Sequence, residues 1–198
     1  ASISGLVSEG FSKKTAKSMI QNTVSIACDA RDEFFRNTED STRIKPLVAA
    51  SIGPYGAYLA NGAEYRGDYN LSSQKLKDFH QPRWELLSQT SADVFACETI
   101  PSIQEAEVLR TLLDQSPAIQ AWMSFSCKDS MHISDGTPIS ECISLLDDCR
   151  QLIAIGINCT APNHILSLIK KINQVKTSKR IIVYPNSGEQ YDVDQKIW

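Results

Sequence analysis

The stretch Gln151-Leu-Ile-Ala-Ile-Gly-Ile-Asn-Cys-Thr160, "QLIAIGINCT", runs from an almost unbroken apolar segment straight into Asn158, Cys159 and Thr160. A run of this length rich in isoleucine and leucine, closed by polar residues, describes a strand covered on both faces. A cysteine where such a strand reaches solvent has two readings. A free cysteine usually packs as a small hydrophobe, and a thiolate is also a metal ligand. The local sequence leaves both open.

Working outward, the same kind of segment recurs between helical patterns. "PLVAAS" (46–51), "DVFAC" (93–97), "IQAWMSF" (119–125) and "IIVY" (181–184) read as further buried strands. Between them, Ala16, Ile20, Thr23, Ala27, Ala30 and Phe34 recur at spacings of three and four, which predicts one face of a long helix capped near Ser12. A loop rich in Gly and Tyr and a helix over 72–90 follow the first strand. Ser102 and Glu105 have the spacing of a capping box, with Ile103, Ala106, Leu109 and Leu113 as the apolar face of the helix it opens. Pro138 and Pro162 open two more helices, reaching about Cys149 and Val175. Five strands joined by helical crossovers predict an α/β fold with a parallel sheet. The dinucleotide fingerprint GxGxxG is absent and the crossovers are of similar length, which favours a (β/α)8 TIM-type barrel over a doubly wound sheet. Such a barrel takes about 250 residues and eight units. The 198 residues carry about five. The sequence is therefore expected to be a single barrel domain over 1–198, truncated at both ends.

Composition narrows the function classes. The chain is 42% hydrophobic and 22% charged with a net charge of −3, and its lysines and arginines are dispersed, so nucleic acid is not an expected partner. No apolar run approaches the roughly 20 residues that span a bilayer, and the first ten residues lack the pattern of a secretory signal. Six cysteines without a CxxC pair are expected as reduced thiols. The expected location is cytoplasmic.

In either parallel architecture the chemistry gathers at the carboxyl ends of strands. Those ends carry Ser51-Ile52-Gly53-Pro54-Tyr55-Gly56, Cys97-Glu98-Thr99, Ser124-Phe125-Ser126-Cys127, Asn158-Cys159-Thr160 and Tyr184-Pro185-Asn186-Ser187-Gly188-Glu189. Glu98, directly after an apolar strand, is expected either to cap a helix or to hold a cationic group of a ligand. His132 and His164 fall away from strand ends and read as surface or helix-start polar residues. Tyr55, Tyr58 and Tyr65 read as rim packing, and Glu64, Arg66 and Asp68 as loop charges.

Five segments, "ASIGPYGAYLANGAEYRGDY" (50–69), "ACETIPSIQEAEVL" (96–109), "SFSCKDSMHISDGTPI" (124–139), "GINCTAPNHI" (156–165) and "VYPNSGEQYD" (183–192), stand in this order. Together they resemble the homocysteine S-methyltransferase family, in the branch that uses S-methylmethionine or S-adenosylmethionine. The resemblance runs over nearly the whole chain. It implies a (β/α)8 barrel that binds zinc through three cysteine thiolates, with the homocysteine sulfur as fourth ligand. The cysteine of "GINC" is the first of those ligands, which makes Cys159 the expected metal ligand. The other two are an adjacent Cys-Cys pair, and no such pair occurs in these 198 residues. The resemblance further implies that Glu98 binds the amino group of homocysteine, and that Asn158 and Ser124 orient ligands or thiolate. The implied reaction is methyl transfer from a sulfonium donor to homocysteine, giving methionine. Two alternatives stand beside it: betaine–homocysteine methyltransferase, which shares the zinc chemistry, and a catalytically inactive barrel fragment or paralogue.

Overall fold

The computed structural model describes residues 1–38 and 42–188. Helices α1 (Ile3–Ser8) and α2 (Lys13–Arg36) precede strand β1 (Ala49–Ile52). A short helix α3 (Tyr55–Leu59) and a 3-10 turn (Ala63–Tyr65) lie in the loop that follows. Helix α4 (Ser73–Leu87), β2 (Val94–Ile100), α5 (Ile103–Asp114), β3 (Ala121–Phe125), α6 (Ile139–Leu146), β4 (Leu152–Asn158), α7 (Pro162–Gln174) and β5 (Arg180–Tyr184) then alternate. The strands pair in parallel in the order β1-β2-β3-β4-β5. The order never reverses, as in an arc of a (β/α)8 barrel and unlike a doubly wound sheet. Among the described residues the arc is open, with β1 and β5 each paired on one side.

One face of the sheet packs under the helices. Ile52, Cys97, Met123, Phe125, Ile155 and Ile157 are fully buried there, in one cluster with Leu109, Leu113, Ile143, Leu146, Leu168 and Ile172 from the helices. Side chains alternate along a strand, so the residues between them, Ser51, Glu98, Ser124, Gly156, Asn158 and Tyr184, fall on the opposite face. The helix starts are set locally. Ser12, Ser72 and Ser102 each accept a backbone N–H from the residue three positions on.

Four expectations need correction. Strand β1 begins at Ala49, not 46, because the Val48 N–H is taken by the Asp93 carboxylate at 2.7 Å. The buried row of α2 is Ala16, Ile20, Val24 and Cys28, at a strict spacing of four, whereas Thr23, Ala27, Ala30 and Phe34 are exposed. Thr23 and Ala27 instead line a cavity beside β1 of about 210 Å³. The capping box is half formed: Ser102 Oγ accepts the Glu105 N–H at 3.3 Å, but the Glu105 carboxylate turns away to other partners. Strand β2 runs on to Ile100, so Glu98 and Thr99 lie within its last residues, where the register with β3 shifts.

Gly156 of "GINC" is dictated by backbone spacing. It pairs with Ile182 of β5, and a Cβ at this position would lie 1.8 Å from the Ile182 carbonyl oxygen. No side-chain rotation can relieve a clash with backbone. Gly156→Ala should therefore force β4 and β5 apart and cost about 3 kcal/mol or more of stability in urea denaturation; an unchanged midpoint would mean that the pairing is looser than described.

Candidate functional site

Glu98 stands on the helix-free face, half-buried. It caps no helix, and its partners within the chain are two hydroxyls. Ser51 Oγ of β1 donates to Oε1 at 2.6 Å and the Tyr184 hydroxyl of β5 donates to Oε2 at 2.9 Å. Burial pushes the Tyr184 phenol well above its ordinary value, which keeps it protonated as a donor. Trp122 Nε1–H can only donate, and it gives its hydrogen to the Tyr184 oxygen at 2.9 Å. Ser124 Oγ lies 2.7 Å from the same oxygen, and with the Tyr184 hydrogen committed to Glu98 it is Ser124 that donates. Strands β1, β2, β3 and β5 thus meet at one carboxylate. Each carboxylate oxygen accepts one hydroxyl and retains capacity for another donor. Among the described residues no Lys or Arg lies within salt-bridge distance of Glu98. An ammonium group from a ligand suits such a site.

The second centre begins at Thr99, the next residue of β2. Asn158, 1% exposed at the end of β4, accepts the Thr99 backbone N–H on Oδ1 at 2.8 Å. Its Nδ2 donates to Thr99 Oγ1 at 2.7 Å and to Cys159 Sγ at 3.3 Å. Cys159 is half-buried, whereas Cys28, Cys97, Cys127, Cys142 and Cys149 are buried. Burial pushes the Cys97 and Cys127 thiols up to about 12 and raises Cys142 as well. Those thiols are packing residues. The loop after β3 is tied to the same strand end, since Thr160 Oγ1 accepts the Cys127 N–H at 2.9 Å. Among the described residues no three His, Cys, Asp or Glu side chains come together as a metal cage. Glu189 lies outside the described residues.

The loop after β1 is held by a network that periodicity does not reveal. Glu105, fully buried, accepts from the Tyr55 N–H at 2.6 Å, from His80 Nε2 at 2.7 Å and from the Tyr69 hydroxyl at 3.1 Å. Arg83 Nη2 donates to His80 Nδ1 at 3.2 Å and to the Gly53 carbonyl at 2.6 Å. A guanidinium cannot accept, so Nδ1 carries no proton and His80 is the neutral Nε2–H tautomer. Burial lowers the His80 pKa accordingly. Tyr55 and Tyr58 pack against each other and against Phe79, as rim packing requires. The remaining histidines are local: His132 pairs with Asp129 and His164 Nδ1 lies 2.9 Å from Ser130 Oγ. Arg66 and Asp68 form an exposed pair.

Two outcomes follow. An alkylating reagent applied to the folded protein should label Cys159 ahead of Cys28, Cys97, Cys127, Cys142 and Cys149, read by peptide mass mapping; equal labelling would contradict the burial pattern. The unfolded chain protonates His80 below its ordinary value of about 6.5 while the folded chain, where burial lowers that pKa, does not, so the unfolded state binds more protons there and stability falls as pH falls. That contribution is whole above about 6.5 and is lost as pH falls toward the depressed folded value. Denaturation midpoints should drop between neutral pH and pH about 5, and His80→Gln should flatten that slope.

A family model described as homocysteine S-methyltransferase matches residues 1–198. The chain is 54% identical over 195 residues to homocysteine S-methyltransferase YbgG of Bacillus subtilis (strain 168), across 98% of this chain and 62% of that protein. It is 42% identical over 207 residues to a selenocysteine Se-methyltransferase of Brassica oleracea var. italica, across 100% of this chain and 60% of that protein. The fold superposes on the metallated form of the homocysteine methyltransferase MmuM from Escherichia coli with a TM-score of 0.88 and 39% identity, covering 99% of this chain and 67% of that one. The chain spans 62% and 60% of the length of the two curated relatives.

Proposed function

The chain belongs to the homocysteine S-methyltransferase family, and from that premise we propose that it is part of a single barrel domain which transfers a methyl group from S-methylmethionine or S-adenosylmethionine to homocysteine. The observation that carries the reading is the adjacency of two unlike centres. Glu98, a carboxylate with free acceptor capacity, is next in sequence to Thr99, which touches the half-buried thiol of Cys159. An amino acid with a thiol at its far end fits that pair.

In this reading Glu98 binds the ammonium group of homocysteine, oriented by Ser51 and by Tyr184, which is itself held by Ser124 and Trp122. Cys159 is one zinc ligand. Its sulfur already receives hydrogen bonds, which suits a thiolate, and it directly follows the carboxyl end of β4. One thiolate does not chelate, so the reading requires further ligands from outside the described residues, and the resemblance assigns them to an adjacent Cys-Cys pair. Zinc, when bound, keeps a coordinated thiol deprotonated at neutral pH. The homocysteine sulfur attacks the methyl carbon of the sulfonium in line. A carbon–sulfur bond forms as the donor's methyl–sulfur bond breaks, and the electron pair of that bond leaves on a neutral thioether. Homocysteine becomes methionine, its thiol proton having passed to solvent before the attack. Because the donor's positive charge disappears, a site without a carboxylate pressed against the sulfonium favours the transition state over the ground state.

An inert barrel remnant is less well supported, since it has no use for a solvent-reaching thiol held as a hydrogen-bond acceptor. Six free cysteines accord with a reducing, cytoplasmic setting. Among the described residues no helix is long and apolar enough to cross a membrane.

The test uses the full-length protein with homocysteine and S-methylmethionine. Glu98→Gln should raise KM for homocysteine about 10-fold or more, as expected for a lost charged hydrogen bond, while zinc content stays at the wild-type level. Cys159→Ser should lose zinc and turnover together. Unchanged homocysteine affinity in the first variant, or stoichiometric zinc in the second, overturns the assignment of that residue.

A further inference from the structure

Thr99 has no part in the reading above beyond its contact, yet its geometry is unusual twice over. Its φ is 61°, in the left-handed region that a β-branched residue rarely occupies, and Cys159 across from it has a φ of 46°. Thr99 lies on β2 and Cys159 directly follows the end of β4, and these two strands are not neighbours in the sheet. They are joined over the end of β3 through Asn158.

The direction of every hydrogen in that joint is fixed. A backbone N–H can only donate, so the Thr99 N–H fixes the Asn158 oxygen as its acceptor and turns the Asn158 NH2 toward Thr99 Oγ1 and Cys159 Sγ. Thr99 Oγ1 accepts one of those hydrogens, and its own hydrogen is left for Cys159 Sγ at 3.6 Å. The sulfur therefore receives two hydrogen bonds and is cast as an acceptor. The Cys159 backbone is held separately, its N–H donating to the Tyr184 carbonyl at 3.3 Å. The sheet alone needs none of the contacts to sulfur. A tie between β2 and β4 is complete with the Asn158 oxygen on the Thr99 N–H.

We propose that Thr99 is a positioning residue: its hydroxyl, with Asn158, holds the Cys159 sulfur oriented for zinc and in register with the neighbouring Glu98. The proposal rests on the assignment of Cys159 as a ligand. Groups that hydrogen-bond a metal ligand change metal affinity by about 10–100-fold when removed. Because Thr99 lies between the carboxylate for the amino end of the substrate and the thiolate at its sulfur end, its loss loosens both.

Two substitutions separate this role from a structural one. Thr99→Gly removes the hydroxyl and relieves the left-handed backbone, so the variant should fold at least as well as the wild type. Thr99→Ser keeps the hydroxyl. In the full-length protein, Thr99→Gly should lose zinc to a competing chelator at a concentration about 10-fold lower than the wild type does, with a melting temperature of the zinc-free protein that is not reduced. It should shift the thiolate-to-metal charge-transfer absorption of the cobalt-substituted protein and raise KM for homocysteine. Thr99→Ser should restore zinc retention and the cobalt spectrum. Wild-type zinc retention and spectrum in Thr99→Gly, with zinc lost from Cys159→Ser, overturn the role of Thr99 alone. Equal impairment of the Gly and Ser variants overturns it too, because the hydroxyl is then not the agent. Stoichiometric zinc in Cys159→Ser overturns the ligand assignment on which the proposal stands.

Discussion

Each strand of the sheet has to bury one row of side chains under the helices, and this requirement organises everything else in the chain. The period of a strand is two, so fixing Ile52, Cys97, Met123, Phe125, Ile155 and Ile157 toward the helices sends Ser51, Glu98, Ser124, Asn158 and Tyr184 to the other face. A slip of one residue in any strand would place a polar group in the core and an isoleucine or phenylalanine in the site. The burial energy of the core therefore also sets the position of the polar groups. At about 25 cal/mol per Å² of apolar surface removed from water, a single buried isoleucine or phenylalanine is worth about 1.5–3 kcal/mol, far more than any one of the hydroxyl contacts to Glu98.

The polar face has its own economy of donors and acceptors. Tyr184 gives one hydrogen and takes two, and each of its three partners comes from a different residue of the sheet. Glu98 is the end point of that chain, so its orientation depends on strands at both edges of the arc. Asn158 plays the corresponding part for Cys159: its amide oxygen accepts the Thr99 N–H and its NH2 donates to Thr99 Oγ1 and to the sulfur. Polar groups tied in this manner are worth more as a set than singly, because each one fixes the direction of the next. The Glu105, His80 and Arg83 network does the same at the rim, where it secures the loop carrying Tyr55 and Tyr69 by its backbone and its hydroxyl.

The sequence alone determined the alternation of strands and helices, the parallel sheet, the serine caps at residues 12 and 102, and the strand ends where chemistry gathers. Those features rest on local periodicity and on interactions three or four residues apart, which a linear reading contains. It also brought Glu98, Asn158 and Cys159 forward, because a polar residue directly after an apolar run is visible as such. Only the tertiary structure decided which partners they take. The tie of Tyr184 to Glu98 spans 86 positions and that of Thr99 to Asn158 spans 59, and no local pattern encodes a contact at that range. The capping box at Ser102 and Glu105 marks the limit plainly. Its spacing is correct and its serine does cap the helix, but a buried carboxylate goes to the strongest set of donors available, and these came from Tyr55, Tyr69 and His80, brought beside it by packing. The left-handed backbone at Thr99 and Cys159 was likewise invisible beforehand, since neither residue favours that conformation on its own and only the surrounding bonds hold it there.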